Sequence, residues 1–256
     1  MEDKSFVDPN YTPSEYKVPY DVIELPSQGI LYPNGKSSVK VEYLTAYDEN
    51  ILTSPNLLNN GKFIDVLLKN KVKELGFDVD DLLAGDRIAI LLFLRATGLG
   101  HEYRQLVIDE SGKVVEGVID LTILTTKKLE ITPDNNKEFD FALPTSNKKI
   151  KFRLLTGKDE SDIDIMDKEN EEKNDGVSTS SSLRLERSIM EIDGVRDKMK
   201  ISHILKTLNL LDVRKFKKYV TEIEPGIDFN TTARIQGGES VSCFLRLGRS
   251  FWNPEI

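Results

Sequence analysis

The feature that most constrains the fold of this chain lies near its end. Val241, Cys243, Leu245 and Leu247 alternate with Ser242, Phe244, Arg246 and Gly248, a period-two strand that follows a long stretch of helical spacing. A strand standing alone leaves a row of unpaired N–H and C=O groups, so it has to join a sheet built elsewhere. The pattern therefore predicts that the last strand rejoins the first part of the chain, with the helical section between them as an insertion or projecting hairpin. The fold class that follows is α+β: a small antiparallel sheet with packed helices, plus a helical hairpin excursion in the C-terminal half.

The first part supplies the sheet. Val39, Val41 and Tyr43 alternate with Lys40, Glu42 and Leu44, as in a half-buried strand. Helices are predicted over 48–53 and 62–69, the second with Phe63, Val66 and Leu67 on one stripe and Asn59-Asn60-Gly61 as the break before it. Arg87 to Thr97 is apolar on nearly every side and reads as a buried helix, with Asp86 favoured by the dipole at its start and Arg87 available to pair. Strands follow at 104–108, 114–115 and 118–124 around a turn at 110–113. Phe139, Phe141 and Leu143 then face Ile150, Phe152 and Leu154 as a hairpin.

Residues 1–24, with Pro9, Pro13 and Pro19 among polar residues and tyrosines, resist helix and predict an extended arm. Composition shifts after Leu155: 158–176 is dense in charge and precedes Ser178-Thr179-Ser180-Ser181-Ser182, so part of it reads as mobile. Amphipathic helices are predicted through Leu183, Leu185, Ile189 and Ile192, then through Ile201, Ile204, Leu205, Leu208, Leu211 and Phe216. One final helix over 201–222 would span on the order of 30 Å at about 1.5 Å per residue. The predicted boundaries are an arm at 1–24, a main α+β domain at 25–156, a charged linker and helical excursion at 157–222, and returning strands at 223–256.

Residue chemistry does not name a reaction. The two histidines, His101 and His203, have no sequence-local partners, and Cys243 reads as a small buried hydrophobe. Counted from Asp162, Met166 and Asp167 stand where a calcium loop needs Asp or Asn and then Gly, so the acidic run reads as a solvated helix face. Gly35-Lys36-Ser37 matches the end of a phosphate loop, yet Ile30 stands where its first glycine belongs and a strand follows. Arg214 to Tyr219 is a short basic patch with aromatics on a chain of net charge −8, which disfavours nucleic acid as the main partner. One cysteine leaves no disulfide framework or multi-cysteine zinc site, and no cofactor or metal is expected. The start carries no signal-peptide pattern, and the longest apolar run, 88–94, falls far short of the roughly twenty residues of a membrane span, so a soluble chain is expected.

Several segments, taken in order, carry a resemblance. They are Leu25-Pro26-Ser27-Gln28-Gly29-Ile30-Leu31-Tyr32-Pro33, Leu44 to Pro55 (LTAYDENILTSP), Phe63 to Leu68, Leu83 to Arg87, Phe141-Ala142-Leu143-Pro144, Arg153 to Thr156, and Ser250-Phe251-Trp252-Asn253-Pro254. The set resembles the baseplate hub protein family of T-even-type bacteriophages, over most of the chain and least from 157 to 235. The resemblance implies a tail protein that binds other baseplate hub proteins without catalysis, in the host cytoplasm during assembly or in the virion's tail baseplate. It also brings paired cysteines that suggest metal ligation in some relatives; here 107–112 has no cysteine and Cys243 stands alone.

Docking residues are expected among the aromatics that dominate interfaces when exposed: Tyr11, Tyr16, Tyr20, Tyr32, Phe216, Tyr219, Phe251 and Trp252. The alternatives are an enzyme or regulator holding phosphorylated or nucleic-acid ligands at Gly35-Lys36-Ser37 or the 214–219 patch, and a host-directed regulatory binding protein. Oligomeric state stays open at this level.

Overall fold

The computed structural model describes residues 17–59, 61–247 and 249–252; Tyr11, Tyr16, most of the predicted arm and Asn253-Pro254 lie outside the described residues. In chain order, β1 (Tyr20–Glu24) and β2 (Ser38–Glu42) precede α1 (Glu49–Leu52), α2 (Pro55–Asn59) and α3 (Phe63–Lys71). β3 (Val72–Lys73) joins β2 to give the sheet order β1-β2-β3. The expected alternation holds, because Val39 and Val41 are buried while Lys40 and Glu42 are only half-buried. Residues 20–24 of the predicted arm are instead a strand, Tyr20 pairing with Glu42 and Glu24 with Ser38.

The long apolar helix is α4 (Ala84–Gly98), buried at Ile90, Leu91, Leu92 and Leu94. After it, β4 (Glu102–Ile108) and β5 (Val114–Asp120) form a hairpin. β5 stops at Asp120 because that side chain accepts from Thr122 N at 2.9 Å and caps a 3-10 turn over Leu121–Ile123, where a strand to Leu124 was expected. Beyond the short β6 (Thr126–Lys127), β7 (Phe139–Ala142) and β8 (Lys149–Phe152) make the second expected hairpin.

The section from 157 departs most from expectation. The charged segment is no linker but α5 (Gly157–Lys173), started by a capping box between Thr156 and Asp159. Arg153 pairs with Asp159 at 2.6 Å, Arg187 with Asp162 at 3.0 Å, and Arg184 with Glu160, which ties α5 to α6 (Ser180–Ser188). The following turn is held too, with Ser178 and Thr179 bonded to Asp167. Ile189 and Ile192 leave the helix and form β9 (Ile189–Ile192) on the edge of β8. Their three-residue spacing suggested a helix face. A bulge at Met190, opposite the Lys151–Phe152 step, lets both reach the core from a strand, at 1% and 0% exposure.

The predicted 201–222 rod is likewise two helices, α7 (Lys198–Leu205) and α8 (Leu210–Ile223). Asn209 breaks it by accepting from Leu211 N at 2.8 Å. α8 does not project: Phe216 lies edge-on to Phe152 at 5.0 Å, and buried Asp212 accepts from Thr145 N and Ser146 N in the turn between β7 and β8. The helical section thus covers the β7-β8-β9 sheet.

The chain then returns to sheet. β10 (Gly226–Ile227) pairs with β6, and β11 (Asn230–Ile235) pairs with both β5 and β12 (Ser240–Phe244), giving the order β12-β11-β5-β4. The α+β class and the return of the last strands agree with the expectation, although β11 makes the join and β12 lies outside it. The described chain closes with α9 (Arg249–Trp252). Among the described residues no helix is long and apolar enough to cross a membrane.

Candidate docking surfaces and the central cleft

The segment 25–33 is drawn inward by one carboxylate. Pro33 holds Tyr32 extended at φ −96° and ψ 159°, and Gly29 sits at φ +74°, where an added Cβ would lie 2.5 Å from the Gly35 carbonyl oxygen. The bend delivers Ser27 N to Asp86 Oδ1 at 2.9 Å and Tyr32 Oη–H to Asp86 Oδ2 at 2.5 Å, while Tyr32 Oη accepts from Leu83 N at 2.7 Å. Burial raises the Asp86 carboxyl above its ordinary range, against the hydrogen bonds that favour its charge. Burial, and then the Asp86 charge, also raise the Tyr32 phenol. Tyr32 is therefore a core residue at 7% exposure, and the expectation of a docking role is corrected.

The other segments of the resemblance converge on the same core. Asp48 and Lys71 form a buried ion pair at 2.5 Å, Arg87 pairs with Asp65 and, at 3.4 Å, with Asp80, and Phe63 meets Trp252 edge-on at 6.1 Å. Buried Arg95 donates to the carbonyls of Phe251 (2.6 Å), Gly100 (2.5 Å) and Glu102 (3.5 Å). Phe251 and Trp252 are thus buried anchors of the chain end, not exposed ones. Phe216 is buried and Tyr219 stacks on Phe141 at 4.7 Å, so neither offers a free ring. Tyr20 alone among the described candidates is exposed, with Lys40 over its ring.

Gly35-Lys36-Ser37 is closed onto the same bend by Leu25 N donating to Ser37 O at 2.8 Å, and leads into β2. Arg214, Lys215 and Lys218 form an exposed face of α8, and His101 and His203 are both exposed. Cys243 is half-buried against the core, and burial raises its thiol.

Two surfaces stand out once the core is assigned. The first is the tip of the β4–β5 hairpin, where Leu106 (66% exposed), Ile108 (66%) and Val114 (65%) share the face opposite the buried Tyr103, Val107 and Ile119. Ile108 and Val114 are directly paired. The sequence carried this signal as Leu106-Val107-Ile108 opposite Val114-Val115, since a strand with only one face on the core has no use for apolar residues on both.

The second is a cleft of about 820 Å³ between α4, α5 and the entry to β11, with a smaller hollow of about 470 Å³ beside it. Ile88 and Leu91 of α4, Asp164 and Ile165 of α5, and Phe229 line the larger space. Gly85 makes the arrangement possible: a Cβ there would lie 1.8 Å from the Pro225 carbonyl oxygen, so only glycine lets this strand entry pass against α4. Half-buried Glu224, next to Pro225, lines both spaces and makes no side-chain hydrogen bond or ion pair with the described residues. Burial, and then the Glu160 charge, raise its carboxyl.

Compared with protein-family models, curated proteins and solved structures, the chain matches none.

Proposed function

We propose that this chain is a component or assembly factor of a contractile-phage tail baseplate hub, acting by docking on other hub proteins without catalysis. The observation that carries the docking role is the hairpin tip, where three large aliphatic side chains stand in water on one face of an antiparallel pair. The phage assignment is supported by the ordered segments that resemble the hub family, four of which, 25–33, 63–68, 83–87 and the one holding Phe251, are joined through Asp86, Arg87 and Arg95. A net charge of −8 directs the docking reading toward protein partners and away from nucleic acid.

Pull-down of the tagged chain from phage-infected cells tests this reading. The wild type is expected to recover baseplate hub proteins. The double variant Leu106→Ser/Ile108→Ser is expected to recover at least about tenfold less, with a melting temperature within about 3 °C of wild type because both side chains are already exposed. Recovery of no tail protein by the wild type overturns the proposal.

A further inference from the structure

The cleft beside Glu224 has the makings of a second contact. A carboxylate stripped of part of its water is costly unless donors replace that water. The cations nearest Glu224 are committed elsewhere, Arg184 to Glu160 and Lys127 Nζ to the Thr221 carbonyl. α5, which forms one wall, brings Glu160, Asp164 and Lys168 to the cleft, and Glu160 is already paired with Arg184. Lys168 on this wall and Lys62 across the cleft are both exposed, and neither is bonded to Glu224. Apolar side chains line the space around it, notably Leu91, Ile165 and Phe229.

We propose that this cleft receives a basic, apolar-faced segment of a partner protein, with Glu224 taking the charge of its lysine or arginine. Such a side chain matches both parts of the site. Its methylene stem packs on aliphatic and aromatic walls, and its head supplies the charge-assisted hydrogen bonds that Glu224 lacks. The inference rests on the docking reading and gives the partner its chemistry.

The test uses the full chain and two labelled twelve-residue amphipathic peptides, one built of leucine and lysine and the other of leucine and glutamate, with binding followed by fluorescence anisotropy at about 0.15 M salt. The lysine peptide is expected to bind, and the glutamate peptide is not. Glu224→Gln is expected to weaken lysine-peptide binding at least tenfold while melting no lower than wild type. Ile165→Arg, a change at a half-exposed wall position, is expected to weaken it similarly. Glu172→Gln, which removes the same charge from an exposed position outside the cleft, is expected to leave binding unchanged. Equal binding of both peptides, an unchanged Glu224→Gln, or an equal loss in Glu172→Gln overturns the proposal. In the infected-cell pull-down, wild-type recovery of hub proteins by Glu224→Gln would overturn the cleft and leave the docking reading standing. Glu224-dependent peptide binding without any tail protein recovered would do the reverse.

Discussion

Replacing Asp86 with alanine is expected to lower the melting temperature by roughly 10 °C. Asp86 is fully buried and receives two hydrogen bonds, from Ser27 N and Tyr32 Oη–H, that fasten the 25–33 bend to the start of α4. Removing the carboxylate orphans both donors at about 1–3 kcal/mol each, offset in part by relief of the carboxylate's own burial. In a chain of this size, about 1 kcal/mol corresponds to about 2–4 °C. Thermal denaturation followed by circular dichroism measures the loss, and a drop of under about 3 °C would remove Asp86 from its place at the centre of the fold. A pH dependence accompanies it. Because burial raises the folded-state pKa, the proton favours the folded chain, so this contribution is fully present below the unfolded carboxylate pKa and is lost as pH rises through the folded one. The stability gap between wild type and Asp86→Asn should therefore widen as pH falls from neutrality toward 4.

Phe251→Ala is expected to cost about 3–5 kcal/mol, the range for emptying a fully buried aromatic site. The ring lies edge-on to Tyr103 at 5.1 Å and beneath the guanidinium of Arg95, whose Nε–H ends on the Phe251 carbonyl. The three carbonyls around Arg95 come from α9, the turn after α4 and β4, so the loss of this ring loosens the grip of the chain end on both elements. Urea denaturation should show the midpoint falling. A variant as stable as wild type would mean that α9 contributes little to the core.

What the sequence revealed and what it hid divide along the distance between partners. Strands β2, β4, β5, β7 and β8 and helix α4 follow from local alternation or an unbroken apolar run. The return of the C-terminal strands was legible for the same reason. α5 was hidden because Arg153, Arg184 and Arg187, which neutralise its first turns, lie on other elements. β9 was hidden by its own bulge at Met190, which shifts the register between Ile189 and Ile192 and breaks the period-two pattern a strand should show. The docking residues fared worst. An aromatic residue reads the same in a core as on an interface, and Tyr32 is interior only because Asp86, 54 positions later, waits for its hydroxyl. The hairpin tip was readable from its two apolar faces, whereas the cleft depends on Gly85, α5 and Glu224 meeting across the fold.

The most direct test of the proposed docking role is to trap the chain docked. With a photoreactive amino acid in place of Ile108 and irradiation during phage infection, a covalent adduct to a tail baseplate protein is expected, identified by mass spectrometry. Adducts confined to host proteins, or none from a chain that still supports infection, would contradict that role.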